Sequence, residues 1–236
     1  MNYENIKKKC EESNYLISMV SVEEIIRLGY SMGLTEKSNV LDLCCGYGEV
    51  LKIWNEVFGI YGTGVDICND FIIKGQKRLE KAQITKVKLI EDDVTQYTDN
   101  IKYDVVILSE TFDSIENTIN LGEKFLKSNG MLVYCKTYSK VSNPPQELVE
   151  FEGELLTLDD LNSRFNKLGY YITHMASDSV SDWERYITSE ARKNINNIRN
   201  NPNDIKRKEW ADKWYKMYFK YRRLYEGQAL FGVEKL

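Results

Sequence analysis

The residues best suited to chemistry in this sequence lie in one row, "VLDLCCGYGE", residues 40–49. An apolar run ends in an acid, Asp42. Two thiols follow, Cys44 and Cys45, and then Gly46 and Gly48. Glycines placed there let a chain turn sharply from a strand into a helix and let a ligand approach the backbone. Asp66 lies 20 residues after Gly46, and Asp93 comes later in "LIEDDVTQY". A bare strand-to-helix turn is one reading. A dinucleotide site is another, since a glycine-rich turn followed at that interval by an acid suits a ribose. The third glycine of G-x-G-x-x-G is missing, however, because Leu51 stands there, and a pyrophosphate needs that close helix approach.

Other reactive residues read more simply. His174, the single histidine, sits in "YYITHMA". Its ring titrates near neutrality and would suit a base, but a mid-strand position favours a structural role. Cys44, Cys45, Cys68 and Cys135 all fall at the carboxyl ends of expected strands. Adjacent cysteines are poor joint ligands and no C-x-x-C spacing occurs, so packing is expected and no metal. "SNPPQ", residues 142–146, has an N-P-P core like that of amino-methylating DNA enzymes. It lacks their aromatic residue and follows the fifth strand, not the fourth, so it reads as a rigid turn in a loop.

These residues need elements to position them, and the chain supplies an alternating series. Short apolar runs ("SNVLDLC", "GTGVDIC", "VKLIEDD", "YDVVILSE", "MLVYCKT", "YYITHMA") alternate with helical patterns ("GEVLKIWNEVFG", "DFIIKGQKRLEKAQ", "NTINLGEKFLKSNG", "TLDDLNSRFNKLG"). Such alternation specifies an α/β fold with a largely parallel sheet covered on both faces. Ligands then bind beyond the carboxyl ends of the strands, where strand order reverses. Ser21-Val22-Glu23-Glu24 is a capping-box pattern that starts a helix running to about Met32, stopped by Gly33. "QALFGVEKL" reads as a last strand.

Of the 236 residues, 42% are hydrophobic and 29% charged, enough to fill a real core. No apolar run is long enough to span a membrane, and no membrane partner is expected. The N-terminus has no apolar core of a leader. With five cysteines in no framework spacing, a reduced cytoplasmic protein is expected. The net charge of −4 is uneven, for residues 181–226 carry +5 and the remainder −9.

The row that opened this section resembles the first motif, D/E-x-G-x-G-x-G, of class I S-adenosylmethionine (SAM)-dependent methyltransferases, with Asp42, Gly46 and Gly48 matching and Cys44 replacing the first glycine. "GTGVDIC" resembles the second motif, "LIEDDVTQY" the third, and "YDVVILSET" and "SNGMLVYCKTY" the fourth and fifth strands. The resemblance covers roughly residues 20–178 and the last nine. It implies a Rossmann-like sheet, mostly parallel with an antiparallel last strand, and SAM as cofactor, which has no phosphate and tolerates Leu51. It implies that Asp66 binds the ribose hydroxyls, that Asp93 reaches the adenine amino group, and that the loop of Cys45, Gly46 and Gly48 holds the methionine part. Asp42, Ile67, Val94 and Ser109 complete the expected cofactor site. The acceptor is placed near Glu110, Thr111 and Tyr138, with Glu110, Tyr138 and Arg222 as catalytic candidates. The C-terminal "SDWERY", "NNPND" and "WYKMYFKYRRLYEG" resemble a narrower bacterial group with a helical insertion before the last strand, which implies a small-molecule acceptor.

The expected organisation is an N-terminal helical segment (1–35), a SAM-binding α/β domain (36–180 and 227–236) and an α-helical cap (181–226). Trp183, Ile187, Ala191, Ile195 and Ile198 share one face of its first helix. Trp210, Trp214, Met217, Tyr218, Tyr221 and Tyr225 form a stripe on the second. Packing accounts for part of both. The cap is also expected to cover the acceptor pocket, with some of Trp183, Tyr186, Trp214, Tyr218 and Tyr221 lining it and the segment around Tyr15 closing the other side. Arg222 and Arg223 suit an anionic acceptor. The leading function is SAM-dependent methylation of a small molecule by a monomer or homodimer. Alternatives are an RNA methyltransferase using the basic insertion, a non-catalytic SAM-binding protein, and the NAD reading. The acidic pI of about 5.3 and the absence of an RNA-binding module argue against nucleic acid.

Overall fold

The computed structural model describes residues 15–109 and 114–235. Its element order is α1 (Val22–Ser31), β1 (Asn39–Leu43), α2 (Glu49–Phe58), β2 (Tyr61–Asp66), α3 (Asn69–Lys81), β3 (Val87–Glu91), β4 (Tyr103–Ser109), α4 (Ile115–Glu123), β5 (Leu126–Ser139), α5 (Gln146–Glu152), α6 (Leu158–Lys167), β6 (Tyr170–Ser177), α7 (Val180–Asn200), α8 (Ile205–Met217), a π-helical turn (Tyr218–Arg222), a short helical turn (Arg223–Tyr225) and β7 (Glu226–Lys235). The strands form one sheet in the order β3-β2-β1-β4-β5-β7-β6. The first five strands are parallel, and β7 runs antiparallel to both β5 and β6. The α/β class, the Rossmann-like sheet and the antiparallel last strand are therefore as the sequence implied.

Alternation along each strand sends side chains to two cores. Val40 of β1 and Val105 of β4 join Ile25, Leu28, Trp54 and Leu89 on one face. Leu41 and Leu43 join Val106, Leu132, Phe165 and Phe231 on the other. Asp42 falls in register with Val40, so its carboxyl points to the face covered by α1 and α2, at the end of β1. Strand order reverses there, between β2 on one side and β4 on the other. Local rules set the helix ends. Ser21 accepts from the Glu24 backbone, and Thr157 with Asp160 makes a full capping box for α6.

One local expectation is corrected. The helical pattern through Gly130 stops at Glu123, and β5 starts at Leu126, paired with Tyr103. The pairing wins because Phe125 accepts from the Tyr103 amide at 2.8 Å and Lys127 reaches Asp104 at 2.7 Å. "SNPPQ" does turn the chain, but Pro145 also caps α5, which buries Leu148. His174 sits in β6 with Nε2 2.9 Å from the Ser31 carbonyl, tying α1 to the sheet edge in a structural role.

Helices α7 and α8 make a third core of their own. Met19, Trp183, Ile187, Trp214 and Tyr218 cluster there, with Phe151, Tyr186 and Tyr215 against them. Ile195 is exposed because α7 runs on past that core. Among the described residues no helix is long and apolar enough to cross a membrane.

Candidate functional site

The end of β1 opens into a turn that the sequence bends in a specific way. Gly46 (φ 55°), Gly48 (φ 70°) and also Cys44 (φ 68°) adopt the left-handed conformation. A side chain there costs on the order of 1 kcal/mol relative to glycine, which is what the departure at Cys44 means physically. The amides of Cys44 and Cys45 both donate to the Val65 carbonyl, at 2.8 and 3.1 Å. Asp66 then ties the turn to β2, because its Oδ2 accepts from the Gly46 amide at 2.8 Å and its Oδ1 from the Cys68 amide at 2.9 Å.

Behind this turn lies a cavity of about 260 Å³. Asp42, Cys44, Cys45, Gly46, Asp66 and Ser109 form its floor, and Ile107, Cys135 and Leu230 its back wall. Asp42 and Asp66 are both buried. Burial, followed by the charge of Asp66, pushes the Asp42 carboxyl up to about 7. Burial also raises the Cys45 thiol well above its ordinary value, and the charges of Asp42 and Asp66 add to this, so it stays neutral. Two buried carboxylates and a set of turn amides fit a ligand that brings positive charge and hydroxyl groups. Among the described residues no group of three or more His, Cys, Asp or Glu side chains is placed to hold a metal ion.

The N-terminal strap, residues 15–20, closes this cavity. Tyr15, Leu16, Ile17 and Ser18 line it directly. The Tyr15 ring meets Tyr47 edge-on at 4.9 Å, and the Arg78 guanidinium lies 3.9 Å from its centre. Arg78 in turn grips Glu49 at 2.8 Å. Farther along, Gln228 of β7 accepts from the Met19 amide at 2.9 Å and from Ser18 at 3.3 Å, and Arg185 of α7 donates to the Ser18 carbonyl at 3.0 Å. The strap thus links the sheet, the turn and the helical insertion.

Of the residues expected at a cofactor site, Asp42, Cys45, Gly46, Asp66 and Ser109 meet in this cavity. Gly48 ends the turn and caps α2. Ile67 is exposed just past Asp66, and Val94 is buried in the second core. Asp93 lies near the end of β3, where the amide and hydroxyl of Thr95 hold its carboxyl below the ordinary value. Glu110 and Thr111 lie outside the described residues. Tyr138 is buried in β5 against Gly227, and burial, then the charge of Asp178, raises its phenol.

Arg222 does not reach the cavity. It is buried between Glu226 at 2.7 Å and Glu152 at 3.1 Å, near the Trp183 ring. Arg223 pairs with Glu184 at 2.8 Å, and the Tyr221 hydroxyl donates to Glu147 at 2.7 Å. Trp183, Tyr186, Trp214, Tyr218 and Tyr221 are likewise absent from the cavity lining. The first four pack on one another in the third core instead.

Gly75 lies inside the helical pattern of α3, where a glycine is itself a signal. A Cβ there would lie 2.6 Å from the Tyr47 carbonyl and 2.5 Å from Leu89. The gap lets α3 support the turn from below. Gly75→Ala should therefore cost about 2 kcal/mol despite alanine's better helix propensity. Thermal unfolding should show a fall of several degrees, and a rise would refute this packing role.

A family model described as a methyltransferase domain matches residues 34–218. The chain is 27% identical over 176 residues to the uncharacterized protein YjhP of Escherichia coli K12, covering 70% of each. The X-ray structure of YjhP superposes with a TM-score of 0.88 at 25% identity, covering 96% of this chain and 98% of that one. A SAM-dependent methyltransferase from Geobacter sulfurreducens, solved in complex with S-adenosyl-L-homocysteine, superposes with a TM-score of 0.88 at 24% identity, covering 98% of both chains. Demethylmenaquinone methyltransferase of Staphylococcus aureus is 27% identical over 143 residues, 57% of this chain and 58% of its own length.

Proposed function

We propose, from a chain that belongs to the methyltransferase domain family, that this protein transfers the methyl group of SAM to a small-molecule acceptor by in-line displacement. The observation that carries this reading is the pair of buried carboxylates, Asp42 and Asp66, at the sheet's switch point under the strap at residues 15–18. When bound, SAM supplies a methyl group already activated on a cationic sulfur. The chain then has to bind, orient and exclude water.

Asp66 would take the ribose hydroxyls, and the amides of the turn from Cys45 to Gly48 would hold the methionine end. Asp42 would face positive charge. Ser109 completes the floor. Ile67, Asp93 and Val94 would border the adenine, with Oδ2 of Asp93 the freer oxygen because Thr95 holds Oδ1. Tyr138, its phenol held neutral, would donate a hydrogen bond near the acceptor, and Glu110, next in sequence after Ser109, is the candidate base. Residues 181–226 would act on the site through the strap, by way of Arg185 and Met19.

The engagement of Arg222 and Arg223 by the protein's own carboxylates supports an apolar acceptor over an anionic one. The Staphylococcus aureus relative is a demethylmenaquinone methyltransferase, which agrees with that preference. Incubation with methyl-labelled SAM and a total cell extract tests the reading. Label should enter low-mass, organic-extractable compounds with release of S-adenosylhomocysteine. Label confined to RNA, or SAM binding with no turnover, would overturn it.

A further inference from the structure

The strap over the cavity is held in two different ways along its length. From Ser18 to Val20 it is held by hydrogen bonds. Oε1 of Gln228 accepts from the Met19 amide at 2.9 Å and from the Ser18 hydroxyl at 3.3 Å. The Val20 amide donates back to the Ser18 hydroxyl at 3.0 Å, and Arg185 donates to the Ser18 carbonyl at 3.0 Å. Met19 is buried in the third core, and Val20 in the core that holds Ile25 and Trp54. From Tyr15 to Ile17 the strap is held by packing. Tyr15 lies against the Tyr47 ring and the Arg78 guanidinium, Leu16 is buried, and Ile17 is 49% exposed. Among the described residues no hydrogen bond joins Leu16 or Ile17 to the rest of the protein.

The packed half is the one that covers the floor of the cavity. Asp42 and Asp66 are 4% and 8% exposed there, so a cofactor reaches them past Tyr15, Leu16 and Ile17. These three residues can lift while Ser18, Met19 and Val20 stay in place, with Ser18 as the turning point. Segments that open over a site come from the least hydrogen-bonded parts of a fold, as this one does.

The two side chains that fix the turning point are themselves fixed. Gln228 belongs to β7, which lies between β5 and β6, and it pairs with Thr137. Its own carbonyl accepts from the Asp178 amide at 2.9 Å, two residues before α7 begins. Arg185 stands in the second turn of α7, and its Nε is buried without a partner. Such a donor destabilises the fold unless its neighbours compensate, and the bond to the Ser18 carbonyl does so in part. The sheet and the helical insertion therefore meet on one residue of the strap. Neither Gln228 nor Arg185 lines the cavity.

We infer that Gln228 and Arg185 are positioning residues for the cofactor. They anchor the strap at Ser18 and so set how long S-adenosylhomocysteine stays under residues 15–17. The inference rests on the SAM site proposed above. Loosening the anchor lowers the fraction of closed strap, and affinity falls with that fraction.

The test combines stopped-flow displacement of S-adenosylhomocysteine with hydrogen exchange. In the wild type, saturation with S-adenosylhomocysteine should slow exchange at the amides of residues 16–20. Gln228→Met keeps the side-chain length and removes the acceptor. It should release S-adenosylhomocysteine at least ~10-fold faster, with association changed less than ~3-fold, as the loss of two hydrogen bonds from the closed state alone requires. Arg185→Met should shift release in the same direction. Gln228→Glu keeps an acceptor oxygen and should stay within ~3-fold of the wild type. Wild-type release rates in the Met variants, equal speeding by Gln228→Glu, or strap exchange indifferent to S-adenosylhomocysteine would each overturn the inference and leave the SAM site standing. A wild-type chain that binds no S-adenosylhomocysteine would sink both.

Discussion

Asp66→Ala should weaken SAM binding at least about a hundredfold. The carboxylate accepts from the Gly46 and Cys68 amides, so it positions the glycine turn before any ligand arrives. Hydrogen bonds to an ionised group are worth roughly 1.5–3 kcal/mol each, and losing the ribose contacts together with the turn's anchor gives the expected effect. Asp66→Asn keeps the shape and one acceptor oxygen and should fall between the two. Calorimetric titration of the folded variants decides the matter. Unchanged affinity in Asp66→Ala would remove this residue from the site.

Asp42 should make both stability and ligand affinity depend on pH. Unfolded, its carboxyl titrates near 3.8, and in the ligand-free fold near 7. Between those values the folded chain holds a proton that the unfolded chain has lost. Stability contributed by this group is therefore intact below about pH 4, falls as pH rises to about 7, and stays low above that. A shift of this size corresponds to about 4 kcal/mol. Asp42→Asn should flatten the slope and make the ligand-free protein more stable than the wild type at alkaline pH. Ligand binding should run the other way. A cation favours ionised Asp42, so SAM should bind more weakly as pH falls below about 7, by up to about tenfold per unit, while Asp42→Asn binds weakly at every pH. Melting curves and titrations across this range provide the check. A wild-type affinity flat with pH, with Asp42→Asn the less stable protein under alkaline conditions, would contradict the assignment.

What the sequence made legible was local. The turn, Asp42 and Asp66 sit on contiguous motifs whose spacing reports a strand end, so the floor of the cavity emerged from the chain order. The sheet did too, since short apolar runs and helical patterns alternate up to β6. What remained hidden depends on partners distant in sequence. Ser18 meets Gln228 across 210 residues, and no pattern in either neighbourhood announces the clamp. The stripe Trp183, Trp214 and Tyr218 showed that a face is buried, not what buries it. It packs into its own core, while Leu16 and Ile17 help close the cavity. Arg222 looked available because one of its carboxylates, Glu152, comes from a distant element, although Glu226, four residues on, was a legible local partner. At β5 the helical period ran on past Glu123, but the Tyr103–Leu126 pairing, a tertiary contact, ended the helix early.

The claim that this cavity is a SAM site is tested most directly by calorimetric titration of the intact chain with S-adenosylhomocysteine and, separately, with NAD at mildly alkaline pH. The account predicts saturable binding of S-adenosylhomocysteine at one site per chain, lost in Asp66→Ala, and no heat from NAD. Saturable binding of NAD with none of S-adenosylhomocysteine would contradict it.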